Sequence, residues 1–280
     1  MYDVALVIGY PPKDLELNCA KENTILITQE PPIKHYAWIK SSFDDFGHVL
    51  TLYNSSHKHV NNAYPLLPWL IDETYDHLLS KQGNPLNKQD QISWITSNKD
   101  FSNGHKDRLN FKNHIDSIGF NYHLYGKGFN PIYNKADALW SYKYTLAIEN
   151  GSFYNYWTEK IADAFLTYTM PIYYGCPNIL EYFPKGSFIP IDIQNPKEAI
   201  LTIQKAINYD LYNKNLKKII EARNLVLNKY SFFPAITEFI TNTADITKKG
   251  NCYIPKNNWG KQNSSFLSTL YNKCKLITAK

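Results

Sequence analysis

The stretch Tyr144-Thr-Leu-Ala-Ile148-Glu149-Asn150-Gly-Ser-Phe-Tyr-Asn155-Tyr156-Trp-Thr158-Glu159-Lys160-Ile-Ala-Asp-Ala-Phe165, followed by Met170-Pro171-Ile-Tyr-Tyr174, decides the fold. Its first residues form a short apolar run ending near Ile148, as a buried strand does. A polar loop follows, and Thr158 stands where a helix N-cap is wanted, ahead of the apolar run that includes Ile161 and Phe165. A second short apolar run at 171–174 completes strand, helix, strand, the unit from which parallel α/β sheets are built. The start of such a helix has unpaired N–H groups and the positive end of the dipole, so it favours an anion. Lys160 adds a point charge suited to phosphate, and Glu159 offers acceptors for vicinal hydroxyls such as a ribose diol. The same Thr-Glu first turn also fits ordinary capping.

The rhythm extends in both directions. Upstream, 4–8, 24–28 and 49–53 are apolar runs closed by turn residues, which predicts strands of a first parallel sheet. Residues 55–85 lose the pattern; Asn61-Asn62, Pro65, Pro68 and Gly83-Asn84-Pro85 suggest a crossing segment and a boundary near residue 85. Strands are then expected at 91–96, 121–125, 144–148, 171–174 and 187–191, with helices over about 106–118 and 158–168 and through 195–243. The expected organisation is an α/β domain over 1–85, a second over 86–245, and a tail over 246–280. Two doubly wound units place ligands at the carboxyl ends of their strands, in a cleft between them.

Composition narrows the function classes. The 280 residues carry a net charge of +5, but seven lysines and no acid fall in 246–280. Residues 1–245 therefore hold 23 basic and 25 acidic groups, or −2, which argues against a nucleic-acid enzyme with a basic groove. Lysine outnumbers arginine 28 to 2, in a chain also rich in Asn, Ile and Tyr, so tyrosine abundance is no binding signal and each arginine invites a reason. Cys19, Cys176, Cys252 and Cys274 form no Cys-x-x-Cys and read as reduced thiols of a cytosolic protein. The start looks like a strand rather than a signal peptide, and no 18-residue apolar stretch exists.

Two more residues are candidates on chemical grounds. Arg108 lies downstream of the strand ending near Ile95 and offers a planar donor fork that suits a diphosphate, which lysine does not reproduce; Arg223, expected on a surface helix, shows that arginine also occurs without such a duty. Glu30 closes the second strand ahead of Pro31-Pro32, where a carboxylate over a cleft serves as a general base or merely sits in a solvated turn. Gly126-Lys-Gly128 lacks the third glycine of a dinucleotide fingerprint. His57-Lys-His59 has no Cys, Asp or Glu at ligand spacing and reads as a solvated loop. No Asp-x-Asp occurs, which argues against a metal-diphosphate clamp.

The run 144–150, then Asn155-Tyr156-Trp-Thr158-Glu159-Lys160, then Met170-Pro171-Ile-Tyr-Tyr-Gly175 resembles the donor-binding motif of the α1,3/α1,4-fucosyltransferases, glycosyltransferase family ten, over about residues 90–195. Ile148 stands where that family usually has Phe, and Gln29-Glu30-Pro31-Pro32 is similar to its strand-ending Glu. The resemblance implies a GT-B architecture of two Rossmann-like domains facing a cleft. It implies GDP-fucose as donor, held by Arg108 and Lys160 at the diphosphate, Glu159 at the ribose, and Asn150 and Tyr156 near phosphates and sugar. Glu30 would be the base of an inverting transfer to a GlcNAc-containing oligosaccharide or glycolipid. No cofactor is then required, although a divalent cation can stimulate. Two alternatives share the fold: another nucleotide-sugar donor, and a non-catalytic sugar- or nucleotide-binding protein. In the tail, Phe266, Leu267, Leu270, Tyr271, Cys274 and Ile277 form an apolar stripe at helical spacing. This predicts either peripheral attachment to an anionic membrane on the cytoplasmic side or docking on the body.

Overall fold

The computed structural model describes residues 1–67, 69–81 and 87–257. The chain divides into two compact units, the first formed by Met1–Pro65 with the segment from Thr237 onward, the second by Leu66–Ile236.

In the first unit, β1 (Ala5–Ile8), β2 (Leu15–Leu17), β3 (Thr24–Ile27), β4 (His48–Thr51) and β5 (Val60–Asn62) follow in sequence. Four of them form a parallel sheet in the order β1-β3-β4-β5. Strand β3 is buried on both faces, with Ile25, Leu26 and Ile27 fully enclosed, which is why its sequence does not alternate. A run of 3₁₀ turns over Lys34–Asp45 connects β3 to β4 and presses Ile39 and Phe43 into a core with Leu26, Phe46, Val49 and Tyr53.

The second unit contains α1 (Tyr75–Ser80), β6 (Gln89–Ile95), α2 (Asn103–Ser117), β7 (His123–Tyr125), β8 (Tyr142–Ile148), α3 (Glu159–Leu166), β9 (Met170–Tyr174), β10 (Ile189–Pro190), α4 (Pro196–Asn208), α5 (Leu211–Lys214) and α6 (Leu216–Leu225). Its five strands are all parallel, in the order β10-β9-β8-β6-β7. The order reverses between β6 and β8, so the carboxyl ends of those two strands flank a topological switch point. Helix α7 (Phe232–Thr243) then carries the chain back to the first unit, where β11 (Cys252–Ile254) pairs antiparallel with β2.

The expected strands and long helices occur within a few residues of their predicted ends; the unit boundaries differ. Residues 66–81 belong to the second unit because polar groups fasten them there. Leu70 N–H donates to Asp163 (2.9 Å), Trp140 Nε1 to Glu73 (3.0 Å), and Tyr168 Oη to the Lys81 carbonyl (2.8 Å). Residues 246–257 are not a free basic tail. Lys249 pairs with Asp3, Lys256 N–H donates to Asp14 (2.7 Å), Asn257 N–H donates to the Pro11 carbonyl (2.9 Å), and Ile254 is fully buried. The apolar stripe from Phe266 to Ile277 lies outside the described residues. Among the described residues, no helix is long and apolar enough to cross a membrane.

Arg223 corrects the surface reading. Its side chain is fully buried, lies over the Tyr168 ring (4.5 Å to the centroid), and donates to the carbonyls of Leu166 (Nε, 3.0 Å) and Leu78. One planar cation thus ties α1 and α3 to α6, a task for a rigid fork. Replacing Arg223 with Met strands two buried carbonyls, and we expect unfolding free energy in urea to fall by about 3 kcal/mol.

Candidate active site

The chemistry collects at the carboxyl ends of β6 and β8. Helix α2 turns Arg108, Phe111 and Ile115 inward at helical spacing, and Phe111 packs against Trp94 of β6 (6.1 Å between ring centroids). At its first turn the helix approaches the β8 loop so closely that a Cβ on Gly104 would lie 1.9 Å from the Asn150 carbonyl oxygen. That approach brings Arg108, one turn later, across the switch point. Its Nη1 donates to Asn150 Oδ1 (2.5 Å) and its Nη2 to the Ser97 carbonyl (3.3 Å). The guanidinium therefore joins the segments leaving both strands. It is 4% exposed, and its Nε is buried with no hydrogen-bond partner among the described residues. Burial lowers its pKa, with the nearby Glu149 carboxylate and Tyr156 opposing that shift.

Glu149, the first residue past β8, has no solvent exposure. Its carboxylate accepts from Thr158 N–H (2.8 Å), from Thr158 Oγ1 (3.0 and 2.8 Å) and from Lys160 Nζ (3.0 Å). Burial raises its pKa; Lys160 counters the rise. Gly175 fits around this group, since a Cβ there would meet Glu149 Cγ at 2.4 Å. Thr158 caps α3 as expected. Lys160 also lies 3.7 Å from Glu159, and Lys135 bridges Glu159 (3.4 Å) and Asp163 (3.6 Å). Burial opposes ionisation of Glu159, but Lys160 and Lys135 outweigh it and hold the pKa at about 2. Lys160 remains a cation despite burial because Glu149 and Glu159 flank it.

The loop between β8 and α3 is pinned by Asn155, in the left-handed region at φ 61°. It exchanges hydrogen bonds with Asn178 (2.8 and 2.7 Å) and accepts from Tyr182 Oη (2.8 Å), fixing the neighbouring, buried Tyr156. Arg108, Asn150, Tyr156, Glu159 and Lys160 thus fall in one cluster. Glu30 belongs to the first unit, past the carboxyl end of β3. It is exposed at its surface and hydrogen-bonded with Tyr36. Burial and then the Glu30 charge raise the Tyr36 pKa and push the Tyr53 hydroxyl up to about 12.

Sequence reasoning assigned no role to Glu149, Lys135, Asn155 or His105. Glu149 stood within the quoted motif, but nothing in the sequence marks it as buried. His105, in the first turn of α2, is 6% exposed and bonds Ser102 Oγ through Nδ1 (2.5 Å). Burial lowers its pKa to about 4, with help from Arg108, Lys99 and Lys160, so it stays neutral beside these cations.

Two units, each built on a parallel sheet, make up a GT-B-type fold. Residues 85–217 match the model of the glycosyltransferase family 10 (fucosyltransferase) C-terminal domain. The curated relatives include an alpha-(1,3)-fucosyltransferase of Helicobacter pylori, 33% identical over 120 residues that cover 41% of this chain and 25% of that protein. They also include alpha-(1,3)-fucosyltransferase B of Drosophila melanogaster, 35% identical over 94 residues, 32% of this chain and 21% of that protein. The matched part is thus about a quarter of those relatives' length. A crystal structure of an alpha1,3-fucosyltransferase with GDP-fucose aligns at 21% identity and a TM-score of 0.50, covering 81% of this chain and 79% of that one.

Asp163 provides a pH test of the cluster. It is 2% exposed, and burial raises its pKa to about 7 against the partial relief given by Lys135. Between about pH 4 and 7 the folded form holds a proton that the unfolded chain releases, so this residue's contribution to stability falls as pH rises through that window. We expect the stability difference between the native chain and Asp163→Asn to shift steadily in the variant's favour from pH 4 to 7, measured by urea unfolding at each pH. A pH-independent difference would contradict it.

Proposed function

We propose that this chain transfers L-fucose from GDP-fucose to a hydroxyl of a GlcNAc-containing glycan, with inversion and in α1,3 linkage, using Glu30 as the general base. One observation carries the donor half of this reading. The buried guanidinium of Arg108, whose Nε has no hydrogen-bond partner among the described residues, spans the ends of β6 and β8 beside Lys160 and the capped start of α3. A nucleoside diphosphate is the ligand class that such a switch point accepts. The names of the relatives support fucose as the sugar.

The chemistry follows from where charge develops. As the bond between fucose and diphosphate breaks, negative charge grows on the leaving phosphate, and preorganised cations lower the barrier most at that point. Arg108 offers a forked contact and Lys160 a point charge. Lys160 is shared with Glu149 and Glu159 before the donor arrives, so diphosphate competes for its protons with carboxylates that stay in place. Glu159 is kept ionised and can accept from the ribose hydroxyls, while Asn150 orients the guanidinium. On the acceptor side, Glu30 takes the proton of the attacking hydroxyl. Tyr36, whose raised pKa keeps its hydroxyl protonated, holds the carboxylate by a hydrogen bond.

The test is turnover of purified protein with GDP-fucose and GlcNAc-containing acceptors, read as GDP release and fucosylated product. Glu30→Gln should lower kcat by about 10²–10⁴-fold while GDP-fucose affinity stays unchanged. Arg108→Lys should lower kcat/KM by about ten- to a hundredfold, the loss of one charge-assisted hydrogen bond. Turnover with a different nucleotide sugar alone would reassign the donor. Donor binding with no transfer to any such acceptor would favour a binding protein.

A further inference from the structure

His57-Lys-His59 lies in an exposed loop, as its sequence suggests, but a carboxylate distant in sequence meets it there. That carboxylate comes from the end of the Lys34–Asp45 run. Asp44 Oδ1 lies 3.2 Å from His57 Nδ1 and 3.8 Å from His59 Nε2, and the three donor atoms all fall within 4.8 Å of one another. The imidazole rings are 5.4 Å apart, centroid to centroid.

We propose that Asp44, His57 and His59 form a binding site for a divalent transition-metal ion, with Zn²⁺ the fitting ion, that clamps the loop before β5 to the end of the Lys34–Asp45 run. The donor set suits zinc, which takes imidazole nitrogen and carboxylate oxygen at about 2.0–2.2 Å. Bonds of that length at tetrahedral angles put neighbouring ligand atoms about 3.3 Å apart, so donors at 3.2 and 3.8 Å from Asp44 and within 4.8 Å of one another close by at most about 1.5 Å to hold the ion. Two neutral imidazoles and one carboxylate leave the remaining positions to water. Hard cations such as Mg²⁺ prefer all-oxygen sites.

The backbone supporting the ligands is already held. Val49 N–H donates to the His59 carbonyl (2.9 Å) and Val60 N–H to that of His57 (3.0 Å). His57 N–H donates to Ser55 Oγ (3.2 Å), and the Asp44 carbonyl accepts from Lys21 Nζ (3.0 Å). His59 Nε2 makes a 3.1 Å hydrogen bond with the Phe43 carbonyl. A metal ion on Nε2 takes the place of that hydrogen bond, and the ring's proton moves to Nδ1, so His59 binds as a neutral imidazole. The site lies by the amino ends of β4 and β5, whereas Glu30 lies past the carboxyl end of β3, so the ion is structural and does not contact the proposed base.

The experiment uses the full chain, stripped of metal with a chelator and titrated with ZnCl₂ by calorimetry, with Co²⁺ as a spectroscopic probe. The expected result is one Zn²⁺ bound by these ligands per chain, a rise in Tm on loading, and visible Co²⁺ bands of a low-coordinate nitrogen–oxygen site. Asp44→Asn and His57→Ala should each weaken this binding by about a hundredfold or more. Both residues are exposed, so both variants should keep the metal-free Tm of the native chain, while Cys252→Ser leaves affinity unchanged. Absence of saturable Zn²⁺ uptake by the native chain, or uptake that survives in Asp44→Asn and His57→Ala, overturns the assignment.

Discussion

A carboxylate with no solvent exposure organises the donor side of this protein. Isolating an ionised Glu149 from water costs several kcal/mol unless the charge is paired and its lone pairs are filled. Glu149 satisfies both conditions by drawing in the backbone and hydroxyl of Thr158 and the ammonium of Lys160. Its own N–H donates to the Tyr174 carbonyl (2.9 Å), extending the β8–β9 ladder by one residue. The start of α3 is therefore fixed relative to two strands by one side chain. Asn150 comes next, so the partner of Arg108 is placed by the same constraint. Gly175 completes the arrangement by leaving out the one carbon that would occupy the carboxylate's space.

The two arginines show what codon bias leaves behind. In a chain that uses lysine almost everywhere, both are buried and both hydrogen-bond residues distant in sequence. Arg108 spans Ser97 and Asn150, and Arg223 spans Leu78 and Leu166. A lysine places one point charge, whereas a guanidinium presents donors in a plane and is more weakly hydrated, so it is less costly to bury. Scarcity was thus a sound signal of constraint but not of function, since one arginine joins helices and the other lies at the switch point. Packing alone separates them: Arg223 is enclosed within the unit, while Arg108 stands where strand ends open.

The parts of the fold readable in the sequence are those whose signal is local. Strands β3, β6, β8 and β9 are short apolar runs, and Thr158 announces α3 by its own chemistry. Strand β5, Val-Asn-Asn, gives no such signal, because a sheet edge need not be apolar on both faces. The pairing of β2 with β11 joins residues more than 230 positions apart, and no local pattern encodes it. The first boundary was placed too late for a related reason: the prolines and glycine near residue 85 mark turns, while membership of a unit depends on distant partners such as Asp163 and Trp140. The site divides in the same way. Arg108, Asn150, Tyr156, Glu159 and Lys160 were visible as residue types in a spaced motif, but Glu149, Lys135 and Asn155 matter through burial and contact. Asp44 could not be joined to His57 and His59 by spacing.

The Lys34–Asp45 run links several of these features. Twelve residues of 3₁₀ turns is long for a helix type whose hydrogen-bond geometry is poor and whose runs seldom exceed three or four residues. External contacts must therefore hold it. Ile39 and Phe43 anchor its inner face, Tyr10 meets Trp38 edge-on at 5.1 Å, Tyr53 Oη donates to the Ile33 carbonyl just before it (3.0 Å), and Asn257 reaches Ser42 at 2.7 Å. Near its start, Tyr36 bonds Glu30; at its end, Asp44 meets the two histidines. A segment with little stability of its own thus runs between the carboxylate proposed as base and the cluster proposed to bind metal. Tightening its far end restricts the ways the rest can loosen, and Tyr36 is among the residues so restrained. Any ordering of Glu30 by metal therefore acts through the packing of this run, without metal contact at the reacting atoms.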